Sequence, residues 1–219
     1  MKKSDAIKAI DRYGMLLVFP IDNAKEPRSL WSVTYPRSKM RWEWDEGGDN
    51  RVGELWHLRE QLSRSGKVIY GKWFRGRATF MSKDLFRALL ALYSRQPKFF
   101  ALSRDARELL ALLKENSPQS TKELKRATNL IGRALEPTYT RALKELWDRL
   151  LVVAVGEVDE GAFPSLAVGA VSLIFEELYR EALELSLHDA EAVIRRYLGD
   201  APLAERQHRK ILAQLGFEE

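Results

Sequence analysis

Lys67-Val68-Ile69-Tyr70-Gly71-Lys72-Trp73-Phe74-Arg75-Gly76-Arg77-Ala78-Thr79-Phe80-Met81-Ser82 is the stretch on which the reading of this chain turns. Two β-prone runs, 67–74 and 77–81, flank Arg75-Gly76, and glycine tolerates the positive φ that a two-residue hairpin turn demands. That turn sets Phe74 opposite Arg77 and Lys72 opposite Thr79. Because side chains alternate along a strand, Tyr70, Lys72, Phe74, Arg77, Thr79 and Met81 then share one face. Ile69, Trp73, Ala78 and Phe80 share the other, which is the candidate core face.

Upstream of the hairpin, Val52, Leu55, Leu58 and Leu62 recur at steps of three and four, with Glu54, His57, Gln61 and Arg64 on the opposite side. This spacing predicts an amphipathic helix ending near Gly66. Residues 4–13 carry Ala6, Ile7, Ala9 and Ile10 at helical spacing, and Gly14 can close that helix. The apolar run 15–21 reads as a buried strand halted by Pro20. Residues 27–35 read as a short helix with Pro27 in its first turn, and 36–50 as a connection. Helices followed by a hairpin make a winged-helix order.

The same order recurs downstream. Ser82 caps a helix with Leu85, Phe86, Leu89, Leu90 and Tyr93, broken at Gln96-Pro97, which joins the two halves. Residues 103–115 form an amphipathic helix, Ser120 and Glu123 a capping box for a short helix, and 137–150 a helix with Leu143, Leu146, Trp147 and Leu150 inward. Strands over 151–158 and 165–171 close the unit around a turn at 159–162. The expected fold is mainly α, in the α+β sense, with two tandem winged-helix-like modules. The N-terminal module and its linking helix span 1–94, the second module 95–171, and a helical tail 172–219.

With 219 residues, of which 45% are hydrophobic, the chain can bury a substantial core. No stretch reaches the roughly 18 apolar residues needed to cross a bilayer, and Met1-Lys2-Lys3-Ser4-Asp5 lacks a signal-peptide run, so the expected location is cytoplasmic. The absence of cysteine excludes disulfides, thiolate nucleophiles and cysteine-ligated zinc. With only His57, His188 and His208 as imidazoles, neither a metal nor a cofactor is expected. No phosphate-cradling glycine loop or nucleophile elbow is present.

Thirty-six Lys+Arg against 31 Asp+Glu give a formal charge of +5, and its distribution matters more than its size. From Gln61 to Ser82 the chain carries Arg64, Lys67, Lys72, Arg75 and Arg77 with no acid, whereas Glu157, Asp159 and Glu160 cluster at the second hairpin. A polyanion should therefore meet the first hairpin, where the basic side chains contact phosphates and Tyr70 or Phe74 packs on sugar or base. The competing reading is a solvated tip whose charges discourage edge pairing. On 137–150, Tyr139, Arg141 and Lys144 could enter a major groove, although Glu136, Glu145 and Asp148 offset their charge. In Arg41-Trp42-Glu43-Trp44-Asp45, Glu43 and Asp45 could act as general acid or base beside indole rings. Against this, paired tryptophans commonly anchor a loop to the core.

Residues 67–82, the Arg41-to-Asp45 stretch, the order of elements over 103–171 and, in the tail, Arg195-Arg196-Tyr197-Leu198 resemble the AlkZ-related branch of winged-helix proteins. Its better-known relatives are bacterial DNA glycosylases acting on alkylated or crosslinked purines. The resemblance implies tandem winged helices and a DNA-related role. Those glycosylases carry two glutamines flanking one other residue as a catalytic motif; Gln61, Gln96, Gln119, Gln207 and Gln214 stand alone here, so no catalytic residue is carried over. The leading expectation is a duplex-DNA-binding protein without evident catalysis. The alternatives are a glycosylase-like repair enzyme using Glu43 or Asp45 to activate water, and a protein-interaction module whose acidic second hairpin suits a basic partner.

Overall fold

The computed structural model describes residues 1–42, 49–158 and 164–217. In the first half, α1 (Lys3–Tyr13) buries Ala6 and Ile10 and stops at Gly14, whose φ of 73° suits glycine. It is followed by β1 (Met15–Leu17), α2 (Leu30–Thr34), α3 (Arg51–Ser63) and a hairpin of β2 (Ile69–Gly71) and β3 (Thr79–Met81). Ser82 accepts a bond from the Leu85 N–H and starts α4 (Lys83–Ser94). The second half repeats the order with α5 (Arg104–Glu115), β4 (Gln119–Ser120), α6 (Thr121–Ala127), α7 (Glu136–Asp148), β5 (Val152–Val158) and β6 (Ser165–Ala170). The tail adds α8 (Val171–Ile174), α9 (Glu176–Glu184), α10 (Leu187–Leu198) and α11 (Pro202–Gln214).

The fold is mainly α with one antiparallel sheet, in strand order β1-β3-β2-β5-β6-β4. Each half contributes its strands in one pattern, the first pairing with the third and the third with the second. The halves meet where β2 pairs with β5, Tyr70 opposite Ala154. A lone three-stranded sheet would leave the inner hairpin strand open as an edge; joining the two halves satisfies both edges at once. One contiguous apolar core consequently runs through both halves and the tail.

Two glycines let the halves approach across this seam. A Cβ on Gly71 of β2 would stand 3.2 Å from the Trp147 ring of α7, and one on Gly156 of β5 would stand 3.0 Å from the Arg64 side chain. Gly156 also has φ 107° and sits in the irregular stretch of β5 between Ala154 and Glu157. The third helix of each half thus packs against a glycine in the other half's hairpin.

Several boundaries differ from those predicted. The first strand ends at Leu17 rather than at Ile21, and α2 starts at Leu30 behind a capping box on Ser29 and Ser32, which leaves Pro27 outside the helix. The expected turn is present: Arg75 and Gly76 have φ of 51° and 71°, and the Arg77 N–H donates to the Phe74 carbonyl at 2.9 Å. Beyond the turn the register slips, because Lys72 and Trp73 together oppose Ala78 before Gly71 meets Thr79. Tyr70 therefore pairs with Phe80, their rings 4.8 Å apart, and the predicted division of faces fails. The two-residue β4 was not predicted; it pairs with β6 at Gln119↔Val168 and Ser120↔Ala167.

The tail closes over the first half. Helices α9 and α10 pack on α4, and Tyr197 of α10 covers Gly14, where a Cβ would lie 2.5 Å from the ring. In α11, Gln207 donates to the Trp73 carbonyl at 3.3 Å, and buried His208 stacks on Tyr93 with Nδ1 3.0 Å from the tyrosine hydroxyl. Burial lowers the His208 pKa from 6.5 to about 4, so the neutral ring can accept the tyrosine proton. The His208 imidazole becomes protonated near pH 6.5 in the unfolded chain and only near 4 in the folded one. Its contribution to stability is therefore complete above pH 6.5 and erodes as pH falls toward 4, by about 1.4 kcal/mol per unit. The melting temperature of the wild type should drop more between pH 7 and 5 than that of His208→Phe. Parallel profiles would exclude His208 as the responsible group.

Candidate nucleic-acid interface

The first hairpin divides sharply into a buried frame and a charged tip. Tyr70, Trp73 and Phe74 are buried, as are Thr79, Phe80 and Met81. Tyr70 and Phe74 are therefore structural and do not reach a sugar or base from these positions. Arg75 and Arg77 are exposed on either side of Gly76, with Arg75 lying 5.2 Å over the Phe74 ring, and Lys67 is exposed at the base of the hairpin. None of these three has a carboxylate partner among the described residues. Lys72 is half-buried, and burial together with the Arg59 charge lowers its pKa. Arg64 is bound to its own surroundings, its Nε 2.5 Å from Glu60 and a terminal nitrogen 2.5 Å from the Glu157 carbonyl.

On α7 the predicted residues also separate. Tyr139 is buried and its hydroxyl donates to the Thr121 carbonyl at 3.3 Å, while burial and the nearby Glu136 raise its pKa. Lys144 is exposed but paired with Asp148, whose own pKa is raised by burial against the lowering effect of Lys144. Arg141 is exposed, its Nε donating back to the Pro137 carbonyl at 3.3 Å. Arg141 thus remains as the outward cation of this helix with no carboxylate attached among the described residues. A shallow groove of about 280 Å³ separates it from α11, with Ile211 and Leu215 on the far wall.

The seam between the halves holds a group that the pattern of apolar residues passed over. Arg59 is 3% exposed; it donates to the Tyr70 hydroxyl at 3.2 Å and to Glu157 at 2.6 Å, with its guanidinium 4.0 Å over the Trp56 ring. It joins α3 of one half to both hairpins. The signal was in the spacing: Val52, Leu55, Arg59 and Leu62 follow one helical seam, with an arginine at a position that favours an apolar residue. Such a cation must find partners inside or stay unfolded.

Glu43, Trp44, Asp45, Asp159 and Glu160 lie outside the described residues. Trp42 packs edge-on against Phe19 with centroids 5.3 Å apart, and His57 is exposed. Among the described residues, no group of three or more His, Cys, Asp or Glu could hold a metal ion, and no helix is long and apolar enough to cross a membrane.

The protein is thus a mainly α chain in which a repeated order of helices and hairpin is fused through one antiparallel sheet, with a cationic tip on the first hairpin. The family model described as AlkZ related matches residues 2–213, and the chain belongs to the AlkZ-related family. Membership suggests a DNA-repair-related or DNA-binding role. Comparison with curated proteins and with solved structures gave no match.

Proposed function

We propose that this protein binds duplex DNA through the tip of its first hairpin, with modules at 1–94 and 95–171 forming one rigid platform and residues 172–219 bracing it. The observation that carries this reading is the placement of Arg75 and Arg77. Both are exposed at the end of a hairpin whose aromatic residues are all buried, and neither is neutralised by a carboxylate among the described residues. A tip of this kind can approach a phosphate backbone while its frame stays folded.

Each phosphate neutralised releases condensed counterions, so each contact steepens the salt dependence of binding by about 0.9. Arg75→Ala with Arg77→Ala should weaken binding to duplexes of unrelated sequence alike and flatten the salt slope by about 1.8. Thermal stability should hardly move, since both side chains lie outside the core. The measurement is a fluorescence-anisotropy titration at several salt concentrations. An unchanged slope would remove the tip from the interface and shift preference to a protein partner.

A further inference from the structure

The connection between α6 and α7 brings together two kinds of exposed side chain that are seldom adjacent. Ile131 is 58% exposed and Leu135 40% exposed, two large apolar residues within five positions. Around them Arg126 and Arg133 are exposed, as is Arg141 one turn into α7. The turn itself is held by Asn129 at φ 54° and Gly132 at φ 96°, and the Glu136 N–H donates to the Gly132 carbonyl at 3.2 Å. The apolar pair is therefore held outward by ordered backbone.

The acids nearby are already engaged. Glu136 pairs with Lys125 at 2.7 Å, Glu123 caps α6 by accepting from the Ser120 N–H at 2.8 Å, Glu145 pairs with Arg149 at 2.8 Å, and Asp148 pairs with Lys144. Arg126, Arg133 and Arg141 have no carboxylate partner among the described residues. An apolar centre with a cationic border complements a surface that is anionic at its margins and offers apolar groups between them. The major groove of duplex DNA is such a surface, with rows of phosphate at the rims and thymine methyl groups on its floor.

Resting on the duplex-binding reading above, we propose that this connection is a second DNA contact, in which Arg126, Arg133 and Arg141 meet phosphates and Ile131 and Leu135 lie against thymine methyls in the major groove. The second module thus reads the groove through the start of α7 and the turn before it, whereas the first module holds the backbone through its hairpin tip. Such a contact confers a mild preference for thymine-containing sites without hydrogen-bonded base recognition.

The test compares a thymine-containing duplex with the same duplex carrying uracil, which lacks the C5 methyl but keeps the pairing and the phosphates. Wild-type protein should bind the thymine duplex several-fold more tightly. Ile131→Ser with Leu135→Ser should abolish that difference while leaving the salt slope unchanged; both residues are exposed, so folding should be retained, and circular dichroism checks this. Arg126→Ala with Arg133→Ala should instead flatten the salt slope by about 1.8 and keep the thymine preference. Duplex binding by the wild type with no thymine preference, or a preference that survives the serine substitutions, would overturn this contact and leave the hairpin reading standing. No duplex binding by the wild type would overturn both, and a slope lost only in the Arg75/Arg77 variant would overturn the phosphate contacts assigned here.

Discussion

Arg59→Ala is expected to lower the unfolding free energy by about 3 kcal/mol, the lower end of the range for breaking a buried ion pair by removing one partner. Arg59 is almost wholly enclosed, and its loss leaves Glu157 without its cation and the Tyr70 hydroxyl without a donor. The lower end applies because the Glu157 side chain keeps 18% of its exposure and can recruit water. Arg59→Met, which retains most of the volume and removes the charge, should lose no more than Arg59→Ala, since Glu157 is unpaired in both and only alanine also opens a void. Urea denaturation measures this, and a loss below about 1 kcal/mol for alanine would mean that the seam does not depend on the arginine.

Trp147→Ala should be at least as damaging, at about 3–5 kcal/mol for a large aromatic truncated in a core. The ring is 3% exposed and fills the space beside Gly71, so its removal opens a void where α7 of the second half meets β2 of the first. Gly71→Val attacks the same contact from the other side: a Cβ there meets the indole at 3.2 Å, so the larger side chain must push the ring aside. Both changes should broaden or split the unfolding transition, because a single core is what couples the halves. A sharp single transition with Tm near the wild-type value in either variant would contradict the seam described above.

Much of the fold was legible because its signals are local. Ser82 and Ser120 cap helices where their sequence places them, and Arg75-Gly76 makes the turn that positive φ allows. The register of the same hairpin was not legible, since one extra residue between Gly71 and Phe74 leaves the turn unchanged yet flips every side chain beyond it. Tyr70 was read as outward for this reason, and Phe74 and Tyr139 because a strand or helix face is exposed only if nothing else packs on it. α11 and the second hairpin both pack against these elements. Arg75, Arg77 and Arg141 remained where the pattern of charge put them, on the surface.

By itself the sequence determined the order of the longer helices and of the two hairpins, the mainly helical class and the sign of charge at each hairpin. Those properties follow from capping, periodicity and turn chemistry acting over a few residues. Only the tertiary structure decided that the two hairpins form one sheet, that Arg59 is enclosed against Glu157 98 residues away, and that Arg75 and Arg77 have no carboxylate partner among the described residues. Pairing between distant strands depends on which edges are left open once every helix has packed, and an arginine's partners depend on what that packing brings beside it.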